Sequence, residues 1–445
     1  MTGRIAAPGF PIEEVRARAR EGISQLFPPT EQYGTTAFGA DPGHGAGTDR
    51  GGAGEAAGGD PLDALRLAPP MFMPRRLDKL IELGREPLFS DVEVETVIGG
   101  FRSPLPLFLP ALGSTRLADA GLGAAIARQA GRLGLPLVIG ENVVPVKGYR
   151  QAASDTGSSL AARIREYSTQ LPEGLGGVAV QQSTQDADAE VWNLVYSDPV
   201  ADDLLASGRL AFELKVGQGA KPGLGGMTMV AGGDATALAK WFTLDRVSGS
   251  EEGLLRSASP GTFTEEILRR QVQLMRNNYP RARIWVKLFP GRDVGKAARV
   301  AWDAGADAVT VDGAEAGTGW APTAFLEQVG LPLGACLRQI GSGRGCLLAT
   351  GRMWEGARVV KALALGARAA GLGRAALLAA DEDPEDGLVR LVRCLTLEIQ
   401  LLVSAMGKYA CHEVSGEDLW PQVVPACTDA ADDARIDSPV VRSLS

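Results

Sequence analysis

Short apolar runs, each closed by Gly, Pro or a polar residue, recur along the chain. They are Leu105 to Leu109, Leu135 to Ile139, Gly177 to Val180, Leu210 to Val216, Arg283 to Leu288, Ala308 to Val311, Cys346 to Ala349 and Ala367 to Leu372. Between them, apolar residues at helical spacing predict helices over 116–133, 158–170, 200–207, 264–278, 293–304, 321–329 and 353–365, with a further helix over 386–406. Thr264 ahead of Glu265 and Glu266 has the form of an N-cap with first-turn acids, and Gly305, Gly330 and Gly366 fall where helices should stop. Continuous apolar strands alternating with amphipathic helices predict a parallel sheet. Eight such units predict an α/β fold closed as a (β/α)8 TIM barrel, with an open doubly wound sheet as the alternative.

Residues 38–61 are Gly-rich and poor in large apolar side chains, which predicts a mobile loop within an N-terminal arm, 1–84. The barrel is expected over 85–420 and a C-terminal tail over 421–445. The stretch from 217 to 263 is far longer than an ordinary barrel connection, so a lid-like loop after the fourth strand is expected, with a small helix around Trp241 and Phe242.

With 445 residues, 45% of them hydrophobic, the chain can bury a large core. Its net charge of -8 is spread without long like-charge blocks, so neither nucleic acid nor an acidic membrane surface is expected as a partner. No apolar stretch approaches the roughly 20 residues of a membrane helix, and no signal-peptide order opens the chain, so a soluble cytoplasmic protein is expected. The five cysteines are scattered without a C-x-x-C pair, which argues against disulfides and a metal site. Only His44 and His412 are present, which disfavours mechanisms built on a histidine base.

In a barrel of this kind the chemistry lies at the C-terminal ends of the strands. There the chain carries Ala111-Leu112-Gly113-Ser114, then Gly140-Glu141-Asn142, Gln181-Gln182 and Gln218-Gly219-Ala220-Lys221-Pro222-Gly223. Lys287 follows, then Asp312-Gly313 with Gly317-Thr318-Gly319, then Thr350-Gly351-Arg352 and Gly371-Leu372-Gly373-Arg374. The last two loops have the composition that cradles a phosphate at a helix N-terminus, supplemented by Arg352 or Arg374; glycines needed only for tight turns are the alternative. A buried Lys287 needs an anion. Either the pyrimidine edge of a reduced flavin or Asp312 on the neighbouring strand would serve, and the two can coexist.

The order Glu213-Leu214-Lys215-Val216-Gly217-Gln218-Gly219-Ala220-Lys221-Pro222-Gly223, Trp285 to Leu288, Val311 to Pro322 and Ala349 to Ala367 resembles the FMN-binding barrel of glutamate synthase. The loops at 111–115, 140–142 and 370–380 resemble the same family, and the likeness runs over about 85–420. The resemblance implies an FMN-dependent oxidoreductase acting on CH–NH2 donors, in amino-acid metabolism and glutamate biosynthesis, by imine reduction or amine transfer involving an amino acid or a 2-oxo acid. It implies that Ala111, Leu112, Gly113, Ser114, Gln181, Gln218, Lys287, Asp312, Gly313, Gly317, Thr318, Gly319, Gly351, Arg352, Gly371, Gly373 and Arg374 line the FMN site. Lys221 would hold a substrate carboxylate, and Glu141 and Lys287 would lie at the reacting centre.

The departures also carry expectations. Leu377 to Gly387 lacks the closely spaced cysteines that hold the family's iron–sulfur cluster, so no cluster is expected. Thr2 follows Met1 and no glutaminase domain precedes the barrel, so an amidotransferase or electron-donor partner protein is expected, together with a homo-oligomeric state. Met227-Thr228-Met229 and Ser259-Pro260-Gly261-Thr262 replace polar family segments, so Met227 and Met229 either wall a less polar substrate or pack within the lid. The aromatics of Val191 to Tyr196 line the site, form a subunit contact or belong to the core. An FMN-dependent 2-hydroxy-acid oxidase and a non-catalytic barrel subunit are the alternative functions.

Overall fold

The computed structural model describes residues 5–7, 9–37, 61–112, 121–141, 143–144, 148–150, 159–184, 189–222, 228–231, 239, 243–246, 253–256, 263–317 and 321–421. Eight parallel strands close into a barrel: β1 (Leu107–Leu112), β2 (Leu137–Ile139), β3 (Val178–Ser183), β4 (Leu210–Lys215), β5 (Arg283–Leu288), β6 (Ala308–Asp312), β7 (Leu347–Thr350) and β8 (Ala369–Gly371). The ring is completed by β8 against β1, with Ala370 opposite Leu107 and Gly371 opposite Phe108. Each apolar run expected as a strand therefore forms one, and the open sheet is excluded.

Strands read as continuously apolar because both faces are covered. Outward residues such as Phe212 and Leu214 pack under the helices, while alternate residues face the barrel axis. One side chain from every strand forms the inner floor: Phe108, Val138, Ala179, Ala211, Trp285, Ala308, Leu348 and Ala369. A hairpin, Thr96–Ile98 with Phe101–Ser103, closes the N-terminal end of the barrel by adding Ile98 and Phe101 to this layer. Trp285 is fully buried there, 5.2 Å from the Phe101 ring, and donates from Nε1 to the Gly99 carbonyl at 3.0 Å. Gly99 takes φ +54°, and a Cβ at that position would meet the indole at 2.4 Å, so glycine is required by both backbone and packing.

Most expected helices form close to their predicted bounds, including Leu122–Leu133, Leu160–Ser168, Val294–Asp303, Gly356–Ala364 and Gly387–Ala405. The Thr264 side chain accepts from the Ile267 N–H and starts Glu265–Asn278, as its sequence indicates. Additional helices form at Ala189–Tyr196, Leu333–Ile340 and Arg374–Glu382. The first is rich in β-branched and aromatic residues and so lacks a helical signature. The second is capped from a distance, its Leu333 N–H donating to the Glu315 carboxylate at 3.1 Å.

The aromatics of Ala189–Tyr196 belong to the core. Trp192 is 3% exposed, donates to the Val180 carbonyl at 3.0 Å and packs against Phe212 and Tyr279 on the outer side of β4. The long connection after β4 contributes a three-stranded antiparallel sheet, with Gly253–Arg256 between Thr228–Ala231 and Leu244–Arg246. Trp241, Phe242 and the Gly-rich stretch expected as a mobile loop lie outside the described residues, apart from Pro61. The N-terminal helix Ile12–Glu21 packs on Arg374–Glu382 and Gly387–Ala405, where buried Arg16 pairs with Asp381 at 2.5 Å and Glu382 at 2.8 Å. Arg66–Leu67 pairs antiparallel with Leu419–Trp420. No helix among the described residues is long and apolar enough to cross a membrane.

The inner floor makes Trp285 the largest single packing element of the barrel axis. Trp285→Ala is expected to lower unfolding free energy by roughly 3–5 kcal/mol, read from urea or guanidinium midpoints. A loss below about 1 kcal/mol would mean that the floor is not a packed core.

Candidate active site

Two residues beyond the apolar floor, the inward positions turn polar: Gln181 on β3, Glu213 on β4, Lys287 on β5, Thr310 on β6 and Thr350 on β7. One further step gives Ser183, Lys215 and Asp312. All are under a tenth exposed, so each charge needs a partner within the barrel mouth.

Lys287 lies 3.3 Å from Asp312, so the ion pair foreseen between neighbouring strands forms. Asp312 also accepts from the Gly219 N–H at 3.0 Å and from the Thr350 hydroxyl. Burial pulls the Lys287 pKa down, but Asp312 and then Glu213 outweigh it, so the ammonium is raised above its ordinary value and stays charged. Glu213 accepts from Gln181, and Thr310 reaches its second oxygen at 3.4 Å. Burial raises its carboxyl above the usual range, more than Lys287 and Gln181 lower it.

A second pair joins Lys215 to Glu141 at 2.5 Å. Burial opposes ionisation of Glu141, yet Lys215, with help from Lys221, holds its carboxyl below the ordinary value. Lys221 has no such partner among the described residues: it is 6% exposed and no carboxylate or hydrogen-bond acceptor engages its ammonium. Burial, followed by the nearby charge of Lys215 and with Arg256 and Lys287 adding to it, lowers its pKa to about 7, while Glu141 opposes the shift.

The Gln218 loop is a tight turn. The Gln218 N–H donates to the Lys221 carbonyl at 3.2 Å, and the Lys221 N–H returns a bond to Gln218 at 2.8 Å. Gly219 takes φ +44°, and a Cβ there would lie 2.4 Å from the Gly317 carbonyl oxygen, so the turn is wedged between Asp312 and the loop after β6. This close approach fixes Lys221 beside Glu141 and Lys215.

At the ends of β7 and β8, Gly351, Arg352, Gly371, Gly373 and Arg374 come together with Gly313 and Gly317. Gly371 must be small, since a Cβ would meet Thr350 at 2.4 Å. Gly373 precedes the helix Arg374–Glu382, and a Cβ there would enter nearly open space, 3.9 Å from Pro110. Arg374 donates to the carbonyls of Glu315 at 2.6 Å and Ala316 at 2.9 Å. Arg352, with φ +53°, reaches Asp63 at 3.4 Å, while its buried Nε has no partner among the described residues. Ala111 and Leu112 end β1; Gly113, Ser114, Met227, Thr318 and Gly319 lie outside the described residues.

Lys215, Glu213, Thr310, Arg256 and Asp63 are not among the expected site residues. The first three carry a signal in the period-two alternation inside their strands, with Glu213 and Lys215 two apart in an otherwise apolar run. Arg256 is 3% exposed on the lid sheet, on the same strand face as Leu254. Met229 is 53% exposed on the other face.

Because Lys221 is held below its ordinary pKa, the folded protein binds fewer protons than the unfolded chain between about pH 7 and the ordinary lysine value of 10.5. Stability contributed through this residue therefore rises with pH across that window. Lys221→Met should leave stability at pH 7 unchanged or raise it by roughly 1 kcal/mol, and remove this rise. A marked loss of stability on substitution would show that the ammonium is paired.

The residues 150–382 match the family model described as the conserved region in glutamate synthase. The chain is 31% identical over 235 residues to an archaeal-type glutamate synthase (NADPH) of Dehalococcoides mccartyi, covering 50% of this chain and 45% of the relative. It is 35% identical over 183 residues to a glutamate synthase large subunit-like protein of Rhizobium meliloti, covering 39% and 40%. The chain thus spans less than half the length of these relatives. Among solved structures, a soluble mutant of the membrane-associated (S)-mandelate dehydrogenase from Pseudomonas putida superposes with a TM-score of 0.51 at 18% identity, over 92% of this chain and 99% of that one. An oxidized active mutant of (S)-mandelate dehydrogenase gives 0.52 at the same identity and coverage. These two share the barrel fold. With more than half of its length matched by the family model, the chain belongs to the family of the conserved region in glutamate synthase.

Proposed function

We propose that the barrel mouth binds FMN and that the protein is an FMN-dependent oxidoreductase acting at a C–N bond, on an anionic amino acid or 2-oxo acid. The observation that carries this reading is the Lys287–Asp312 pair at the mouth, with Lys221 buried beside it and lacking an anion. The residues fit the cofactor. The orphaned Nε of Arg352 and the open space at Gly373 lie where a phosphate would be received, and Lys287 keeps its charge for the flavin's electron-rich edge.

When bound, FMN would supply hydride transfer to or from the carbon of the C–N bond. Lys287, Gln181 and Gln218 would hold the ring system, and Gly351, Gly371 and Gly373 would admit the phosphate close to the backbone. Lys221 would bind a carboxylate and could exchange a proton at Nζ near neutrality, since its pKa lies at about 7. Glu141, kept ionised against Lys215, would accept a proton at its carboxylate.

A 2-hydroxy-acid oxidase would call for a histidine at the mouth. His412 instead lines a cavity with Gly99, Cys346 and Arg368, where the strands begin, and His44 lies outside the described residues. The lack of closely spaced cysteines across Leu377 to Gly387 supports the expectation of an iron-free protein.

Reconstitution with FMN should give a yellow protein with one flavin per chain and no stoichiometric iron; a colourless product would remove the reading. Lys287→Met is expected to weaken FMN retention by roughly tenfold or more, as loss of a charge-assisted contact requires. His412→Ala should leave turnover unaltered, whereas its loss would favour the hydroxy-acid reading. Mass spectrometry of turnover mixtures with 2-oxo acids, amines and amino acids then identifies the substrate.

A further inference from the structure

The N-terminal segment reaches both loops at the phosphate end of the mouth. Asp63 engages Arg352 at 3.4 Å and Arg358 more closely, and its carbonyl accepts from Lys361 at 3.3 Å. Arg358 is fully buried, and it also donates to the Gly351 carbonyl at 3.0 Å. The Asp63 carboxylate therefore reaches the loop after β7 from outside the barrel, while the Glu315 carboxylate lies 3.5 Å from the same Arg358. Leu62, fully buried, seats this segment against Leu333–Ile340, where Gly334 leaves room for its backbone.

Phe10 reaches the other loop. Its ring lies 5.4 Å from the Arg374 guanidinium, whose Nη2 is already committed to the Glu315 and Ala316 carbonyls. Asp63 binds Arg352 through Nη1, and the buried Nε of that guanidinium has no hydrogen-bond partner among the described residues. Arg352 also takes a left-handed backbone conformation, which a non-glycine residue keeps only when its surroundings enforce it.

We propose that Asp63 and Phe10 are positioning residues for the phosphate end of the cofactor site, so that docking of the N-terminal segment and retention of the cofactor form one coupled equilibrium. The proposal rests on the FMN reading above. Asp63 aims Arg352 so that Nε faces the loops, and Phe10 holds Arg374 against the loop after β6. Reciprocity follows: if the docked segment tightens FMN binding, FMN must tighten docking of the segment by the same factor.

The test uses the full chain, stripped of FMN and titrated back by flavin fluorescence. Asp63→Asn should bind FMN about ten- to hundredfold more weakly, as expected when a charged group loses its orienting bond. Phe10→Leu, which keeps an apolar plug without a ring face, should weaken binding several-fold. In the wild-type protein, hydrogen exchange of amides at 61–67 should slow on FMN addition by the factor lost in Asp63→Asn. Equal or tighter FMN binding by the variant, or identical exchange with and without FMN, would overturn the proposal. Should the wild-type protein bind no FMN, the cofactor reading fails, and inorganic phosphate becomes the probe. It must then slow the same amides in the wild type and not in Asp63→Asn, or the latch fails too.

Discussion

The structure depends on how charge is buried inside a closed barrel. The axis begins as an apolar floor around Trp285 and becomes, within two residues along the strands, a layer of Gln181, Glu213, Lys287 and Thr310. Removing one member of a buried pair such as Lys287–Asp312 leaves the other uncompensated, at a cost of roughly 3–5 kcal/mol. The pairs are therefore not chosen for stability, which apolar side chains of similar size would supply at least as well. They are tolerated because the barrel mouth is where strands end and loops converge.

That convergence explains the glycines. The turn at Gly219 approaches Gly317 so closely that no side chain fits, and the same turn donates its N–H to Asp312. Backbone contact thus links the loop after β4 to the loop after β6 across the neighbouring β5, and places Lys221 among charges set by three other strands. The loops after β7 and β8 are contacted from outside as well, Arg352 by Asp63 and Arg374 by Phe10.

The barrel was legible because its strands are buried on both faces and bounded by Gly, Pro or polar residues, a local signal that needs no tertiary information. Much of the mouth was legible too, since Gln181, Lys287 and Asp312 lie where apolar runs give way to polar residues. Lys215 and Glu213 were hidden inside such a run, where only the inward alternation distinguishes them. Leu333–Ile340 was hidden because its cap, Glu315, comes from another segment, and Asp63 because its partners lie almost three hundred residues away. In the lid sheet a strand presents alternate residues to opposite faces, so Met229 is exposed while Arg256 is buried.

Arg256 completes the electrostatic account. Lys215, Lys221, Lys287 and Arg256 are four buried cations among the described residues of the mouth, and Glu141, Glu213 and Asp312 are the carboxylates around them. Burial raises the Glu213 carboxyl above its ordinary value. Burial first, and then the nearby charge of Lys215, lowers the pKa of Lys221, whose ammonium no carboxylate among the described residues engages. An entering anion would reverse that shift, so binding and protonation of Lys221 reinforce each other. On the proposed reading, the same surplus of cations would serve an electron-rich flavin edge at Lys287 and a carboxylate at Lys221, and would disfavour cationic amines lacking an acidic group.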